Sequence, residues 1–396
     1  MSTEIVTSIE FQMSLLLFIA LAGYLVASRL DQSAVIGEIL VGIVVGPSLL
    51  GLITYTDFVA SLAALGAVIL LFVIGLEFNL RDILDVRYAV IALAGVIVPW
   101  FGGYWLTLAL GYGFSSAVFI GTAMTATSIA ITANVLREMG MLSTPVARAI
   151  IGTAVIDDVL SLMALSITVD VVSGTFSLLS VGTVVAKDVA FILIAGYAGI
   201  RFFAPMLERV DRLPFAQRYP EFVFITAMMF AFLFAMGAEA VGISAIIGAF
   251  IAGMSFRGVD LTHSHDLKEG AEYLHIIFAA IFFVSLGILV DITALTPDIM
   301  LLLVLLTLVA VITKVAGCGI PARLQGMSVH DSLAVGFGMG PRGEVAMIVA
   351  LIGLNLGLLE GGIYVAIVLM SLITTVITPI VYRNWLFRKM DRQSPG

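Results

Sequence analysis

The sequence Gly152-Thr-Ala-Val-Ile-Asp-Asp-Val-Leu-Ser161 contains two adjacent acids, Asp157 and Asp158, inside an otherwise apolar stretch. That stretch covers residues 145–170, and Arg148 lies near its start. Asp158 follows Arg148 by ten residues, roughly 15 Å along a helix, which is about half the thickness of a bilayer's hydrocarbon core. Inserting an acid at that depth costs roughly 2.5 to 3.5 kcal/mol, so an acid kept there is a candidate functional residue. We therefore predict that this pair lies at the membrane midplane and is the centre of the protein's activity.

The composition is that of a protein embedded in a membrane. Of the 396 residues, 61% are hydrophobic and 12% are charged, against roughly 25% charged residues in a soluble domain. The mean hydropathy is +1.15. We predict an all-α polytopic membrane protein with a single transmembrane domain over residues 1–396. One cysteine, Cys318, excludes an intramolecular disulfide, and the acidic N-terminus with Glu4 and Glu10 does not predict a cleaved signal peptide.

Runs of mostly apolar residues predict thirteen transmembrane spans. They are 11–29, 34–53, 58–77, 88–110, 114–136, 145–170, 179–205, 219–237, 239–256, 272–291, 299–321, 330–354 and 361–386. All but three of the 19 Lys and Arg lie in or beside alternate connections or in the C-terminal tail. Because basic residues are retained in the cytoplasm, we expect a plasma-membrane protein with its N-terminus outside and its C-terminus cytoplasmic.

Two spans contain residues that interrupt a helix. The fifth span contains Thr122, Thr125, Thr127, Ser128 and Thr132, and the twelfth contains Gly336, Gly338, Gly340, Pro341 and Gly343. Counted back from the C-terminus, spans 11 to 13 match spans 4 to 6 in the opposite direction through the membrane. Paired interrupted helices in two inverted halves indicate the binding site of a secondary transporter.

The polar residues within these spans are expected to meet at one depth. They are Thr127 and Ser128 from the fifth span, Asp157 and Asp158 from the sixth, Lys314 from the eleventh, and Arg342 and Glu344 from the twelfth. Lys314 lies roughly 13 Å along a helix from Arg323, so it too is near the midplane. A buried ammonium requires a carboxylate partner or loses its proton. Since adjacent helical residues point about 100° apart, one aspartate is expected to face Lys314 and the other a water-filled cavity.

This constellation predicts an ion exchanger. A carboxylate beside Thr127 and Ser128 hydroxyls and freed backbone carbonyls suits a small dehydrated cation, and the same carboxylate can hold a proton instead. We predict sodium at Asp158, Asp157, Thr127 and Ser128, no cofactor and no enzymatic activity. Arg342 and Glu344 are predicted to bind the unwound backbone or each other, with direct ion contact left open.

Several stretches together resemble the monovalent cation:proton antiporter-2 family and are most similar to its NapA-type sodium/proton antiporters. They are residues 35–42 with Gly46 and Pro47, 72–77, 125–128, 154–158, Lys314 and 340–344. The resemblance implies a transport part (88–170 and 299–386), a dimerisation or scaffold part (11–77 and 219–291), a linker helix (179–205) and an elevator-like movement within a homodimer. It also implies that Asp158 carries the ion and that Asp157 pairs with Lys314, a combination that accompanies electrogenic exchange in that family.

Other functions explain less of the sequence. The main alternative is a potassium/proton antiporter, and an organic-anion carrier centred on Arg342 would leave the acid pair unexplained. An intramembrane aspartyl protease takes its two acids from different helices, and a channel would repeat around a pore. Glu38 and Glu77 are interpreted as local anchors, and Lys187 as a partner of Asp188. Lipid and a second copy of the chain are the expected partners, and nucleic acid is not.

Overall fold

A computed structural model of the chain describes residues 8–387 except 31, 77, 79–84, 173–177, 220, 260, 262–266 and 290–295. The described residues form helices joined by short connections. In chain order these helices are α1 (Ile9–Arg29), α2 (Ala34–Val45), α3 (Asp57–Gly75), α4 (Val86–Ala109), α5 (Phe114–Ala123), α6 (Ile129–Glu138), α7 (Pro145–Val172), α8 (Leu178–Ala198), α9 (Ala204–Asp211), α10 (Pro214–Arg218), α11 (Glu221–Ala240), α12 (Ala245–Phe256), α13 (Leu267–Ile288), α14 (Pro297–Leu324), α15 (Val329–Gly338), α16 (Glu344–Asn355) and α17 (Gly361–Val381). π-Helical turns follow α8 at Gly199–Phe203 and α17 at Tyr382–Leu386.

The described residues form helices, in agreement with the predicted all-helical architecture. Among them, nine helices are long and apolar enough to cross a membrane, and four shorter apolar helices accompany them. Each of the thirteen predicted spans overlaps at least one of these helices. The sixth predicted span, which contains the two central acids, is the 28-residue helix α7.

Both predicted interruptions are present. The fifth span consists of α5 and α6, separated by residues 124–128, and the twelfth consists of α15 and α16, separated by residues 339–343. Pro341 lacks an N–H and disfavours a helical conformation at the preceding residue, which explains the second break. The breaks contact each other directly, because the Ser128 N–H donates to the Pro341 carbonyl at 2.9 Å.

The second span differs from the prediction of a helix over residues 34–53. Helix α2 ends at Val45, after 12 residues, where Gly46 and Pro47 follow. The chain then turns back, with the Gly51 N–H bonded to the Gly46 carbonyl at 2.8 Å. Gly51 has a φ of +60°, which glycine adopts without the steric cost other residues meet. The prediction of a full-length second helix was therefore wrong, because hydropathy alone does not show where a turn ends a helix.

The chain packs as two compact units. The first contains Met1–Leu21, Tyr55–Asp82 and Thr183–Ser285, and the second contains Ala22–Thr54, Ile83–Gly182 and Leu286–Gly396. The predicted transport part (88–170 and 299–386) lies entirely within the second unit. That unit also contains α2, which we predicted as scaffold. The functional division into moving and scaffold parts stays a prediction.

Close backbone contact holds α3 and α12 together within the first unit. A Cβ atom added at Gly253 would overlap the Phe72 carbonyl oxygen and approach the Gly75 Cα at 2.9 Å. Helices in membranes pack through such small residues because no hydrophobic force drives their association in lipid. Gly253 therefore determines how closely these two helices approach.

The first prediction concerns this contact. Gly253→Ala should destabilise the protein by about 1 to 3 kcal/mol, the range for overpacking a tight interior. Thermal unfolding in detergent micelles should show a lower midpoint than for the wild type. Gly361→Ala is the matched control, because no atom lies within 4 Å of the Cβ position at Gly361. Equal midpoints for the two variants would contradict this account of the contact.

Candidate functional site

Lys314 is completely buried in the middle of α14. Its ammonium group donates three hydrogen bonds: to Asp157 Oδ1 at 2.8 Å, to the Thr125 carbonyl at 2.7 Å and to the Gly95 carbonyl at 2.9 Å. These acceptors come from α7, from the break after α5 and from α4. One side chain therefore joins four segments of the second unit. The structure also shows that Asp157 is the acid that faces Lys314.

The backbone reaches Lys314 at Gly95 because glycine has no side chain. A Cβ atom there would lie 2.5 Å from the Cys318 Sγ atom, and 3.8 Å from both the Asp157 Oδ1 atom and the Lys314 Nζ atom. Any larger residue would therefore overlap Cys318, which lies beside the ion pair. Sequence reasoning missed Gly95 and the Thr125 carbonyl, because a carbonyl oxygen is present in every residue and carries no sequence signal.

Arg342 lies in the second break and is also completely buried. Its guanidinium donates to the carbonyls of Ala126 at 2.7 Å, Thr125 at 3.3 Å and Ala310 at 3.4 Å. Carbonyls just beyond the end of a helix have no partner within it and carry partial negative charge. The side chain from one break thus satisfies the carbonyls freed by the other, and Thr125 is shared between Arg342 and Lys314.

Side chains from α17 hold the backbone of the second break. The Arg342 N–H donates to Thr374 Oγ1 at 3.3 Å, and the Thr375 hydroxyl donates to the Arg342 carbonyl at 3.0 Å. Neither threonine was singled out from the sequence. The unwound segment thereby obtains partners that it would lack in lipid, which is the condition for irregular backbone at membrane depth.

The remaining predicted site residues lie around the first break. Thr127 donates to the Met339 carbonyl at 3.3 Å. The Ser128 hydroxyl is buried and has no hydrogen-bond partner among the described residues. Asp158 is 6% exposed, whereas Asp157 is fully buried. The side chain of Glu344 lies outside the described part of the structure, as do Glu77 and the loop histidines His263 and His265.

Comparison with known proteins identifies the chain. The model of the family described as "Sodium/hydrogen exchanger, transmembrane" matches residues 15–388. The chain belongs to this family. The exchanger is 35% identical over 380 residues to the Na⁺/H⁺-K⁺ antiporter GerN of Bacillus cereus, with 93% of this chain and 94% of GerN covered. It is 30% identical to a Na⁺/H⁺ antiporter of Enterococcus hirae over 375 residues, covering 93% and 96% of the two chains.

The exchanger also shares its fold with a solved structure. The sodium proton antiporter MjNhaP1 of Methanocaldococcus jannaschii superposes with a TM-score of 0.73 at 16% sequence identity, covering 98% of this chain and 100% of the other. The fold class predicted from the sequence is confirmed. The exchanger is a multi-pass membrane protein of the cation:proton antiporter-2 type. It is a cation/proton antiporter and not an enzyme.

The second prediction tests the buried ion pair. Lys314→Met leaves the Asp157 carboxylate buried without its counter-charge, and breaking such a pair costs about 3 to 5 kcal/mol. We expect a lower midpoint of thermal unfolding in detergent, and partial recovery in the double variant Asp157→Asn/Lys314→Met. Arg87→Gln is the control, because the Asp85–Arg87 pair lies at the surface, where solvent screens an ion pair and its loss has little effect on stability. A double variant no more stable than Lys314→Met would argue against the pairing.

Proposed function

We propose that this antiporter exchanges sodium or lithium for protons electrogenically, and that Asp158 carries the ion. The observation that carries the proposal is the buried ion pair of Asp157 with Lys314, directly beside a second acid on the same helix. The pair engages the Asp157 carboxylate, and we assign the transported ion to Asp158, the other acid at this depth on α7. Asp158 also retains a small exposed surface, which a residue exchanging ions with water requires.

The oxygen atoms near the first break suit a small cation. Ser128 presents a buried hydroxyl without a described partner, and Thr127 lies beside it. Hard cations prefer carboxylate, hydroxyl and carbonyl oxygens. We propose that sodium binds Asp158 with Thr127 and Ser128, and that a proton replaces it on the return half of the cycle. Since sodium and the proton compete for one carboxylate, the carrier crosses the membrane with one or the other.

The lysine accounts for electrogenicity in this scheme. If Asp157 turns toward the bound cation, Lys314 loses its counter-charge and releases a proton, because an unpaired ammonium is costly to bury. One proton from Asp158 and one from Lys314 then exchange for one sodium ion, and a net charge moves. We further propose an elevator-type alternating access within a homodimer, with the N-terminus outside.

A potassium/proton antiporter is the alternative. The similarity to GerN, which is named as a Na⁺/H⁺-K⁺ antiporter, favours including potassium among the tested ions. Sodium and potassium both bind carboxylate, hydroxyl and carbonyl oxygens, so the kinds of ligand proposed here do not select between them. Selectivity depends on the size of the site and on the rigidity of its ligands.

The third prediction tests Asp158. In sealed proteoliposomes, Asp158→Asn should abolish proton flux driven by sodium, lithium or potassium, because an amide neither ionises nor carries a proton. The wild type should show flux with at least one cation, and that cation identifies the substrate. Asp298→Asn is the control, because Asp298 lies in the exposed first turn of α14. Cation-driven flux retained in Asp158→Asn would refute the carrier assignment.

The fourth prediction tests Lys314. Lys314→Gln should lose the dependence of exchange on membrane potential while keeping some cation-driven proton flux, since the second proton is removed from the cycle. The measurement compares the initial rate with the potential clamped by an ionophore and with it left free. The variant must first elute as a single species in detergent. An unchanged response to the potential would exclude Lys314 from the coupling.

A further inference from the structure

Several helices begin at a residue whose side chain caps them. The Thr56 hydroxyl accepts a hydrogen bond from the Val59 N–H, and the hydroxyls of Thr296 and Ser328 likewise accept from the N–H three residues later. A serine or threonine at this position normally accepts such a bond, because the first N–H groups of a helix have no partner within it. A hydroxyl at an N-cap that accepts none is therefore an exception that needs an explanation.

Ser128 is such an exception. It is the N-cap residue of α6, yet its side chain makes no capping hydrogen bond. The residue is 1% exposed, and its hydroxyl has no hydrogen-bond partner among the described residues. Ser33 also leaves its helix uncapped, but its hydroxyl donates to Glu138 Oε2 at 2.6 Å. The other buried hydroxyls without a described partner lie inside helices and have no capping position; they are Thr153, Ser161, Ser332 and Ser371.

Gly343, in the second break, lies against the Ser128 side chain. A Cβ atom built on Gly343 would lie 2.7 Å from Ser128 Oγ and 2.7 Å from Ser128 Cβ. Carbon atoms in contact are normally about 3.5 to 4.0 Å apart, so a side chain at residue 343 would displace Ser128. Rotation of the hydroxyl would not remove the overlap, because Ser128 Cβ is as close as Oγ. The position of this hydroxyl therefore depends on the absence of a side chain at residue 343.

Other glycines that lie against hydroxyls face groups that are already bonded. A Cβ atom at Gly199 would overlap Ser255 Oγ, and one at Gly340 would lie 3.3 Å from Thr378 Oγ1. Both of these hydroxyls donate to backbone carbonyls at 2.8 Å. The contact of Gly343 differs from them, because it determines the position of a hydroxyl whose hydrogen bonds are unused.

The backbone around this contact has little freedom to move. The Ser128 N–H donates to the Pro341 carbonyl at 2.9 Å, and the Arg342 guanidinium donates to the Ala126 carbonyl at 2.7 Å. These bonds join the two breaks within two residues of Ser128 and Gly343. Close-packed interiors transmit a steric change to their neighbours. A side chain at residue 343 would therefore move the Ser128 hydroxyl relative to the rest of the crossing.

We propose that Gly343 is a specificity-determining residue, because its lack of a side chain sets the position of the Ser128 hydroxyl and with it the size of the cation site. The proposal rests on the proposed function, in which Ser128 is a ligand of the transported cation. Selectivity among cations that share one kind of ligand depends on the size and rigidity of the site. A methyl group at residue 343 would take up room beside the ligand, so a larger cation loses more affinity than a smaller one. Gly343 is a positioning residue, since it acts through Ser128.

The experiment first measures how lithium, sodium and potassium stabilise the protein in detergent at constant ionic strength. A ligand that binds the folded state raises the midpoint of thermal unfolding with its concentration, which gives an apparent affinity for each cation. Gly343→Ala is compared with the matched control Gly340→Ala in the same break. A Cβ atom at Gly340 would lie 2.8 Å from the Phe337 carbonyl oxygen, and its nearest neighbours are Phe337 and Thr378 instead of Ser128.

We expect Gly343→Ala to bind the largest cation that the wild type binds about tenfold more weakly, and smaller cations with a smaller loss. A factor of this order corresponds to one displaced hydroxyl ligand of a charged group. Gly340→Ala should lower the unfolding midpoint without changing the cation affinities. In proteoliposomes, Gly343→Ala should raise the half-saturating cation concentration and keep the maximal rate of proton flux, the pattern of lost ground-state binding. A merely structural role would not produce this pattern.

A double variant tests whether Gly343 acts through Ser128. Ser128→Gly removes the two close atoms and leaves Ser128 Cα at 3.6 Å, an ordinary contact. Glycine is tolerated at an N-cap, so this variant should fold. Adding Gly343→Ala to Ser128→Gly should change the cation affinities by less than about twofold, because two residues that act through one contact are not additive. Ser128→Thr crowds the same contact from the other side, and it replaces Gly343→Ala in the comparison if that variant does not fold.

Two results would overturn the proposal. Wild-type affinity for every cation in folded Gly343→Ala, or an equal loss in Gly340→Ala, would show that this contact does not set the size of the site. Independent effects of the two substitutions in the double variant would show that Gly343 does not act through Ser128. Failure of the proposed function looks different, because the wild type itself would then show neither stabilisation by a cation nor cation-driven proton flux.

Discussion

An ammonium group with no exposed surface must place all three of its hydrogens on acceptors, and Lys314 places them on Asp157, Gly95 and Thr125. This requirement determines much of the surrounding structure. Gly95 and Thr125 each offer a backbone carbonyl, the second where the chain has left its helix, and Asp157 supplies a carboxylate oxygen. Removing the carboxylate would leave a buried charge without a counter-ion, which costs about 3 to 5 kcal/mol.

The two broken helices depend on each other. The break after α5 frees carbonyls that Lys314 and Arg342 bind, and the break after α15 brings Arg342 to them. The Ser128 N–H in turn binds the Pro341 carbonyl. Unwound backbone is tolerated at membrane depth because each segment supplies the partners that the other lacks. The crossing is thus a polar unit whose internal hydrogen bonds replace those of two continuous helices.

Adjacent positions on one helix allow two carboxylates to have different surroundings. Asp157 is fully buried against Lys314, and Asp158, about 100° further around α7, retains some exposure. One helix therefore presents a carboxylate held in an ion pair and, beside it, a carboxylate that keeps some contact with the surface.

The sequence alone predicted the helical membrane fold, the two interrupted spans and the acids, hydroxyls and basic residues that line their crossing. Hydropathy, glycine and proline positions, and buried charge are properties of local sequence, so they can be read without coordinates. The sequence could not show that Arg342 binds the carbonyls of Ala126 and Thr125, or that Gly95 lies beside Lys314. It also could not show that α2 ends at Val45. Those features depend on backbone atoms of distant segments. Backbone atoms are the same in every residue, so only the packing of the helices decides which of them come into contact.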